Sequence, residues 1–139
     1  MKVIITYGTF DLLHYGHIRL LKRARELGDY LIVGLSTDEF NEIKGKTSYY
    51  NYDIRKEMLE ALKYVDKVIP EKNWEQKPGD IKKYKVDTLV MGSDWEKSDR
   101  FTYLQEYCNL TFLSRTHGIS STLLKGNLIK EESKEVTSV

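Results

Sequence analysis

The sequence predicts an α/β fold in which a parallel sheet of five strands is doubly wound and covered by helices on both faces. Three observations lead there. Short continuous apolar runs (Val3-Ile4-Ile5, Leu31-Ile32-Val33, Leu89-Val90-Met91) alternate with helical segments almost to the end of the chain. Strands that are apolar on both sides are buried on both sides, as in a parallel sheet between helix layers, and the helical segments between them supply right-handed crossovers. The polar, glycine-bearing loops after Tyr7, after Met91 and after Leu113 all fall at carboxyl ends of strands, where open α/β sheets bind ligands near a topological switch point. The expected architecture is Rossmann-like.

Residues 2–7 read as the first buried strand and 15–27 as an amphipathic helix with Ile18, Leu20, Leu21, Ala24 and Leu27 on its apolar side, ended by Gly28 at a C′ position. A second strand covers 30–36, and Thr37-Asp38-Glu39 opens a helix. A polar loop rich in tyrosine follows from Lys44 to Asn51, then a helix over 53–63 with Met58, Leu59 and Leu62 on one side. Residues 66–70 form a short strand, 74–77 a connection, 80–84 a short helix and 86–91 a strongly apolar strand that ends at Gly92-Ser93-Asp94-Trp95. A helix over 101–107, a strand over 110–113 and a last helix over 122–129, capped by Ser120 or Ser121, complete the alternation. The length fits one domain, 1–129, followed by a charged tail, 130–139, that is expected to fray.

Composition excludes several classes. A net charge of +1 leaves no electrostatic footprint of a nucleic-acid binder, so anion binding must come from local placement of charge. No apolar run approaches a membrane span, and a strand begins directly after Met1, so the expectation is a cytoplasmic protein. Cys108 is the only cysteine and rules out an internal disulfide, a CxxC redox pair and a thiolate zinc cluster; it reads as a small buried apolar residue.

The most informative stretch is Gly8-Thr9-Phe10-Asp11-Leu12-Leu13-His14-Tyr15-Gly16-His17. His14 and His17 share one helix face at a helix start, where free N–H groups and the positive dipole end favour an anion. Gly8 allows close backbone approach, Gly16 leaves room beside the rings, and each imidazole can donate to phosphate; near its ordinary pKa either ring could also be cationic. No third ligand at suitable spacing supports zinc. The segment Arg115-Thr116-His117-Gly118-Ile119-Ser120-Ser121-Thr122 offers a guanidinium fork and a hydroxyl-rich helix start to the same anion. Lys44 and Lys46 are candidates for a lid that brings positive charge over a polyphosphate, and Arg55 and Lys77 carry the same two readings, solvated or functional. Asp11 and Asp94, at strand ends, are candidates for Mg2+ coordination, for base or ribose recognition, or for orienting a lysine. Trp74 and Trp95 read as packing residues before ligand platforms. There is no GxxxxGK[ST], no GxGxxG after the first strand, and no nucleophile–base pair. Chemistry on phosphate would therefore be direct transfer between bound substrates, resting on positioning and charge stabilisation.

Gly8–His17 resembles the GTFDxxHxGH motif of the cytidylyltransferases in the HxGH nucleotidyltransferase superfamily, and 115–122 resembles their RTxGISTT motif; likeness to members that act on glycerol phosphate extends through VIPEKNWEQK (68–77) to about residue 125. The resemblance implies transfer from CTP to sn-glycerol 3-phosphate, giving CDP-glycerol and pyrophosphate for teichoic acid or glycerol-containing capsule synthesis, with Mg2+ and a homodimer. It implies that Thr9, Phe10, His14 and His17 hold the CTP phosphates and stabilise the transition state. Lys46, Arg115, Thr116, Gly118, Ile119, Ser120, Ser121 and Thr122 would bind the triphosphate, Asp94 would serve the nucleoside, and Lys44 and Lys77 would receive glycerol phosphate. The implied catalytic set is His14, His17, Lys44 and Arg115. Lys63 stands where the family has arginine in RYVD, and Ser121 replaces the first threonine of the STT run. The alternatives are another phosphorylated alcohol as acceptor (an alditol phosphate, phosphocholine or phosphoethanolamine), an adenylyltransferase, and a non-catalytic nucleotide-binding regulatory module.

Overall fold

The computed structural model describes residues 1–114. The strands are β1 (Val3–Gly8), β2 (Tyr30–Ser36), β3 (Lys67–Glu71), β4 (Thr88–Gly92) and β5 (Asn109–Leu113); the helices are α1 (Tyr15–Glu26), α2 (Asp38–Ile43), α3 (Tyr52–Glu60) and α4 (Lys77–Tyr84), with short 3-10 helices at Ser93–Trp95 and Asp99–Glu106. All strand pairs are parallel, in the order β3-β2-β1-β4-β5. The chain winds outward from β1 to β3 and then returns to the other side of β1, so the switch point lies between β1 and β4.

Alternation along each strand divides the core. Ile4, Leu31, Val33, Leu35 and Val90 pack with Leu21, Ala24 and Leu59 on the face covered by α1 and α3. Val3, Ile5, Ile32, Ile69 and Leu89 pack with Ile81, Phe101 and Leu104 on the other face. The centres of β1, β2 and β4 are thus apolar on both sides because both faces are covered, as the unbroken runs indicate.

Several local expectations are corrected. Gly28 does stand at C′, directly after the C-cap Leu27, but without the left-handed conformation common there: the only glycine with positive φ among the described residues is Gly45. Gly28 is required by packing, because a Cβ there would stand 2.8 Å from Ile4 and from the Lys2 carbonyl. Leu27, placed on the apolar side of α1, is exposed. The third helix starts one residue early, at Tyr52, where the Asn51 side chain accepts from Ile54 N–H, and closes at Glu60. The stretch read as a connection ends at Gln76, since Lys77 and Pro78 open α4, a place where the missing proline N–H costs nothing. The helix expected over 101–107 is a 3-10 helix that begins at Asp99. The expected last helix, 122–129, and the tail lie outside the described residues.

Candidate active site

The loop leaving β1 reaches α1 through two non-glycine residues with positive φ, Phe10 (48°) and Leu12 (50°). Such residues cost on the order of 1–3 kcal/mol each and persist only where their surroundings hold them. The Phe10 ring is buried against His17, with centroids 5.4 Å apart, and leaves no room for a Cβ at Gly8, which would stand 2.9 Å from it. Asp11, fully buried, accepts from the N–H groups of Leu12, Tyr49 and Tyr50 and so ties this loop to the tyrosine-rich one. Arg55, also buried, donates to the carbonyls of Thr9 (3.0 Å), Ser36 (2.8 Å) and Tyr50 (3.0 Å) and to Asp38 (2.7 Å). Thr9 bonds Asn41, whose amide in turn donates to Ser48. The loop offered as a lid is therefore pinned at 48–50.

The two histidines cap α1 together. His14 Nδ1 accepts from Gly16 N–H (3.0 Å), His17 Nδ1 accepts from His14 N–H (3.3 Å), and the rings stack with centroids 3.9 Å apart. A nitrogen that accepts carries no proton, so in both rings the proton sits on Nε2. Burial lowers both pKa values; for His17, burial first and His14 second bring it to about 4, against a smaller opposing pull from Asp11. The expectation that either ring could be cationic is thus corrected: at neutral pH both are neutral Nε2–H donors. His14 Nε2 is buried and has no hydrogen-bond partner among the described residues, the condition of a donor held for a ligand oxygen.

Beside this mouth lies a cavity of about 140 Å³, lined by Tyr7 and Gly8 of β1, Lys44, Lys46, Glu71, Trp74, Lys77 and Phe101, and by the β4 end from Leu89 to Gly92. Its position is the β1/β4 switch point. Lys44 is the C-cap of α2, and Gly45 follows it with φ +73°, a turn that sends Lys44 inward and leaves Lys46 exposed. Glu71, the last residue of β3, is 3% exposed, with Oε2 3.0 Å from Lys77 Nζ and Oε1 3.9 Å from Lys44 Nζ. Burial lowers the Lys44 pKa to about 8 against the opposing pull of Glu71. The Lys77 ammonium sits over the rings of Tyr7 (4.5 Å), Phe101 (5.4 Å) and Trp74 (5.5 Å). Gly34 makes room for this floor: a Cβ there would meet the Tyr7 ring at 2.2 Å. Tyr7 donates to Asp80 (2.8 Å), and burial, reinforced by Asp80, raises its pKa.

The structure thus brings Gly8, Thr9, Phe10, Asp11, His14, Gly16, His17, Lys44, Lys46 and Lys77 to one end of the sheet. Asp94 is exposed in the turn after β4, where Trp95 packs on Phe101. Lys63 lies over the Tyr64 ring (5.3 Å). Arg115, Thr116, Gly118, Ile119, Ser120, Ser121 and Thr122 lie outside the described residues. One residue escapes sequence reasoning: Glu71 has only its place at a strand end to mark it. Arg55, open to a solvated or a functional reading, is neither a solvated cation nor a cavity-lining one, but a buried brace beneath the loop.

The model of the cytidylyltransferase-like family matches residues 5–127. A glycerol-3-phosphate cytidylyltransferase of Staphylococcus aureus is 60% identical over 134 residues, 96% of this chain and all of that protein. The enzyme of the same name from Bacillus subtilis is 58% identical over 125 residues, 90% of this chain and 95% of that protein. Among solved structures, a lipopolysaccharide core biosynthesis protein of Thermoplasma volcanium superposes with a TM-score of 0.69 at 26% identity, covering 84% of this chain and 97% of that one. The chain belongs to the cytidylyltransferase-like family, in the company of its glycerol-3-phosphate cytidylyltransferases.

Proposed function

We propose that this protein transfers the cytidylyl group of CTP to sn-glycerol 3-phosphate, forming CDP-glycerol and releasing pyrophosphate. The observation that carries the reading is the juxtaposition at the switch point: on one side a buried imidazole donor with no partner among the described residues, and on the other a cavity with a buried ammonium, Lys77, a largely enclosed one, Lys44, and one carboxylate, Glu71. A phosphate oxygen of the acceptor attacks the α-phosphorus of CTP, the new P–O bond forms as the bond to pyrophosphate breaks, and the electron pair leaves with pyrophosphate. A phosphomonoester dianion needs no general base, since its attacking oxygen carries no proton. His14 and His17 donate through Nε2 to phosphate oxygens as charge builds, and Lys44 and Lys77 hold the acceptor.

Mg2+ belongs to the same reading and would enter on the triphosphate. Among the described residues no group of three His, Cys, Asp or Glu side chains can hold a metal, and Asp11 is spent on backbone N–H groups, so the ion would be held mainly by the CTP phosphate oxygens, with Asp94 the remaining carboxylate candidate. Arg115 and the 116–122 run are assigned to the triphosphate by family motif. A homodimer, a cytoplasmic location and a product used for teichoic acid or a glycerol-containing capsule are parts of the proposal; among the described residues no helix is long and apolar enough to cross a membrane.

The rival with a cationic acceptor head is disfavoured by one feature. An aromatic cage for a cation does exist, formed by Tyr7, Trp74 and Phe101, but the cation in it is the protein's own Lys77. Incubation with each nucleoside triphosphate and a panel of phosphorylated alcohols, followed by pyrophosphate release, tests the reading. CTP with glycerol 3-phosphate should dominate, and a higher kcat/KM for ATP, for phosphocholine or for phosphoethanolamine would overturn it.

A further inference from the structure

Glu71 is the single carboxylate lining the cavity among the described residues. Its backbone is fixed twice, by pairing opposite Ser36 in the sheet and by the Thr37 N–H that bonds its carbonyl at 3.0 Å. Its two oxygens are used differently. Oε2 accepts from Lys77, whereas the nearest cation to Oε1, Lys44 at 3.9 Å, stands beyond hydrogen-bond reach, and no donor among the described residues bonds Oε1. The Glu71 side chain is largely enclosed, and Oε1 opens on the cavity with lone pairs that no protein donor among the described residues fills, so it is free to accept from a donor on a bound ligand.

The surroundings restrict that donor. A phosphate is excluded at Oε1 by like charge and belongs on the ammonium side. A cationic head would meet the Lys77 ammonium already seated over Tyr7, Trp74 and Phe101. What remains is a neutral donor, a hydroxyl, on a molecule whose other end is anionic. The inner charges sum to +1, two ammoniums against one carboxylate, which suits a phosphomonoester with an uncharged polar tail.

We propose that Glu71 Oε1 accepts a hydrogen bond from a hydroxyl of the acceptor, so that Glu71 is the residue that makes the site specific for phosphorylated polyols. The inference rests on the cavity being the acceptor site, and it adds to that reading a residue and a reason for the choice of acceptor. A site built to bond a substrate hydroxyl penalises the analogue that lacks it, because its own polar group is then left unpaired.

The test compares glycerol 3-phosphate with propyl phosphate, which has the same phosphate and no hydroxyl, by kcat/KM at saturating CTP in the unmodified protein and in Glu71→Gln. The unmodified protein should prefer glycerol 3-phosphate by about 10²-fold, as expected for a hydrogen bond to a buried charged group. Glu71→Gln should narrow that preference to a few-fold while the KM for CTP stays within a factor of two or three. A merely structural role would lower both acceptors together and keep the ratio. An unchanged ratio in the variant, or no preference in the unmodified protein, overturns the assignment of Glu71 while leaving the cytidylyltransferase reading intact. No pyrophosphate from CTP and glycerol 3-phosphate in the unmodified protein takes down both. Should Glu71→Gln fail to fold, Glu71→Asp, which keeps the charge and withdraws the oxygen by one methylene, replaces it under the same criteria.

Discussion

The two halves of the site handle the same kind of charge by opposite means. At the β1–α1 mouth, anion recognition is neutral: two imidazoles, each with Nδ1 occupied by a backbone N–H, hold Nε2–H donors in place, and burial keeps the second proton off. Across the switch point, the cavity uses full charges, with Lys44 and Lys77 disposed about the Glu71 carboxylate. Neutral donors cost little to bury and need no counter-ion, so they can be stacked 3.9 Å apart where two imidazolium rings would repel. Charged groups bind a dianion more strongly, but burying them costs several kcal/mol per ion unless they are paired, and Glu71 is the pairing. The contrast assigns the mouth to charge that develops in a transition state and the cavity to charge the substrate already carries.

The largest effect that would sharpen this contrast lies under the mouth. Arg55→Ala removes hydrogen bonds to three carbonyls and leaves the Asp38 pair broken, and should cost about 3–5 kcal/mol in urea unfolding. A loss below about 1 kcal/mol would show that the positive-φ loop does not depend on this buried guanidinium. Next, His14→Ala or His17→Ala should lower kcat by about 10²–10³ with circular dichroism unchanged, as for a lost transition-state donor. Near-normal turnover in either variant would remove that ring from catalysis. On the cavity side the signature differs: Lys44→Ala should raise the KM for glycerol phosphate by about 10–10² and leave the KM for CTP alone. A change confined to CTP would reassign Lys44 to the triphosphate.

The smallest effect is in pH. The Lys44 ammonium, with its pKa brought down to about 8, is present below that pH and lost above it. The kcat/KM for the acceptor should therefore fall as pH rises through 8. Lys44→Arg, which keeps its charge, should push this alkaline limb upward, and an unchanged limb would place its origin elsewhere. Stability has its own sign. For His17 the folded pKa lies below the unfolded one, so stability is fullest above about 6.5 and declines as pH falls toward 4.

What could be read in the sequence follows from which physics is local. Strand runs, the histidine spacing and the helix start at Thr37 announce themselves within a few residues, and the sheet with its switch point followed from them. Gly28 marks the end of α1 in the sequence, but the contact that requires a glycine there, with Ile4 and Lys2, comes from more than twenty positions away. Asp11 in the sequence is open to metal coordination, base or ribose recognition, or orienting a lysine; its partners, the N–H groups of Tyr49 and Tyr50, are visible only once the chain has folded. Lys77 and Glu71 are six apart in sequence, but their relevance comes from Lys44 and from rings on two other segments, Tyr7 and Phe101.

The division between a neutral mouth and a charged cavity rests most directly on the protonation of the two rings, which 15N–1H imidazole spectra report across a pH titration. Both His14 and His17 should show bare Nδ1 and protonated Nε2 at pH 7, and His17 should take its second proton only near pH 4. An imidazolium signal from His17 at pH 6–7, or a proton on Nδ1 of either ring, would contradict the account.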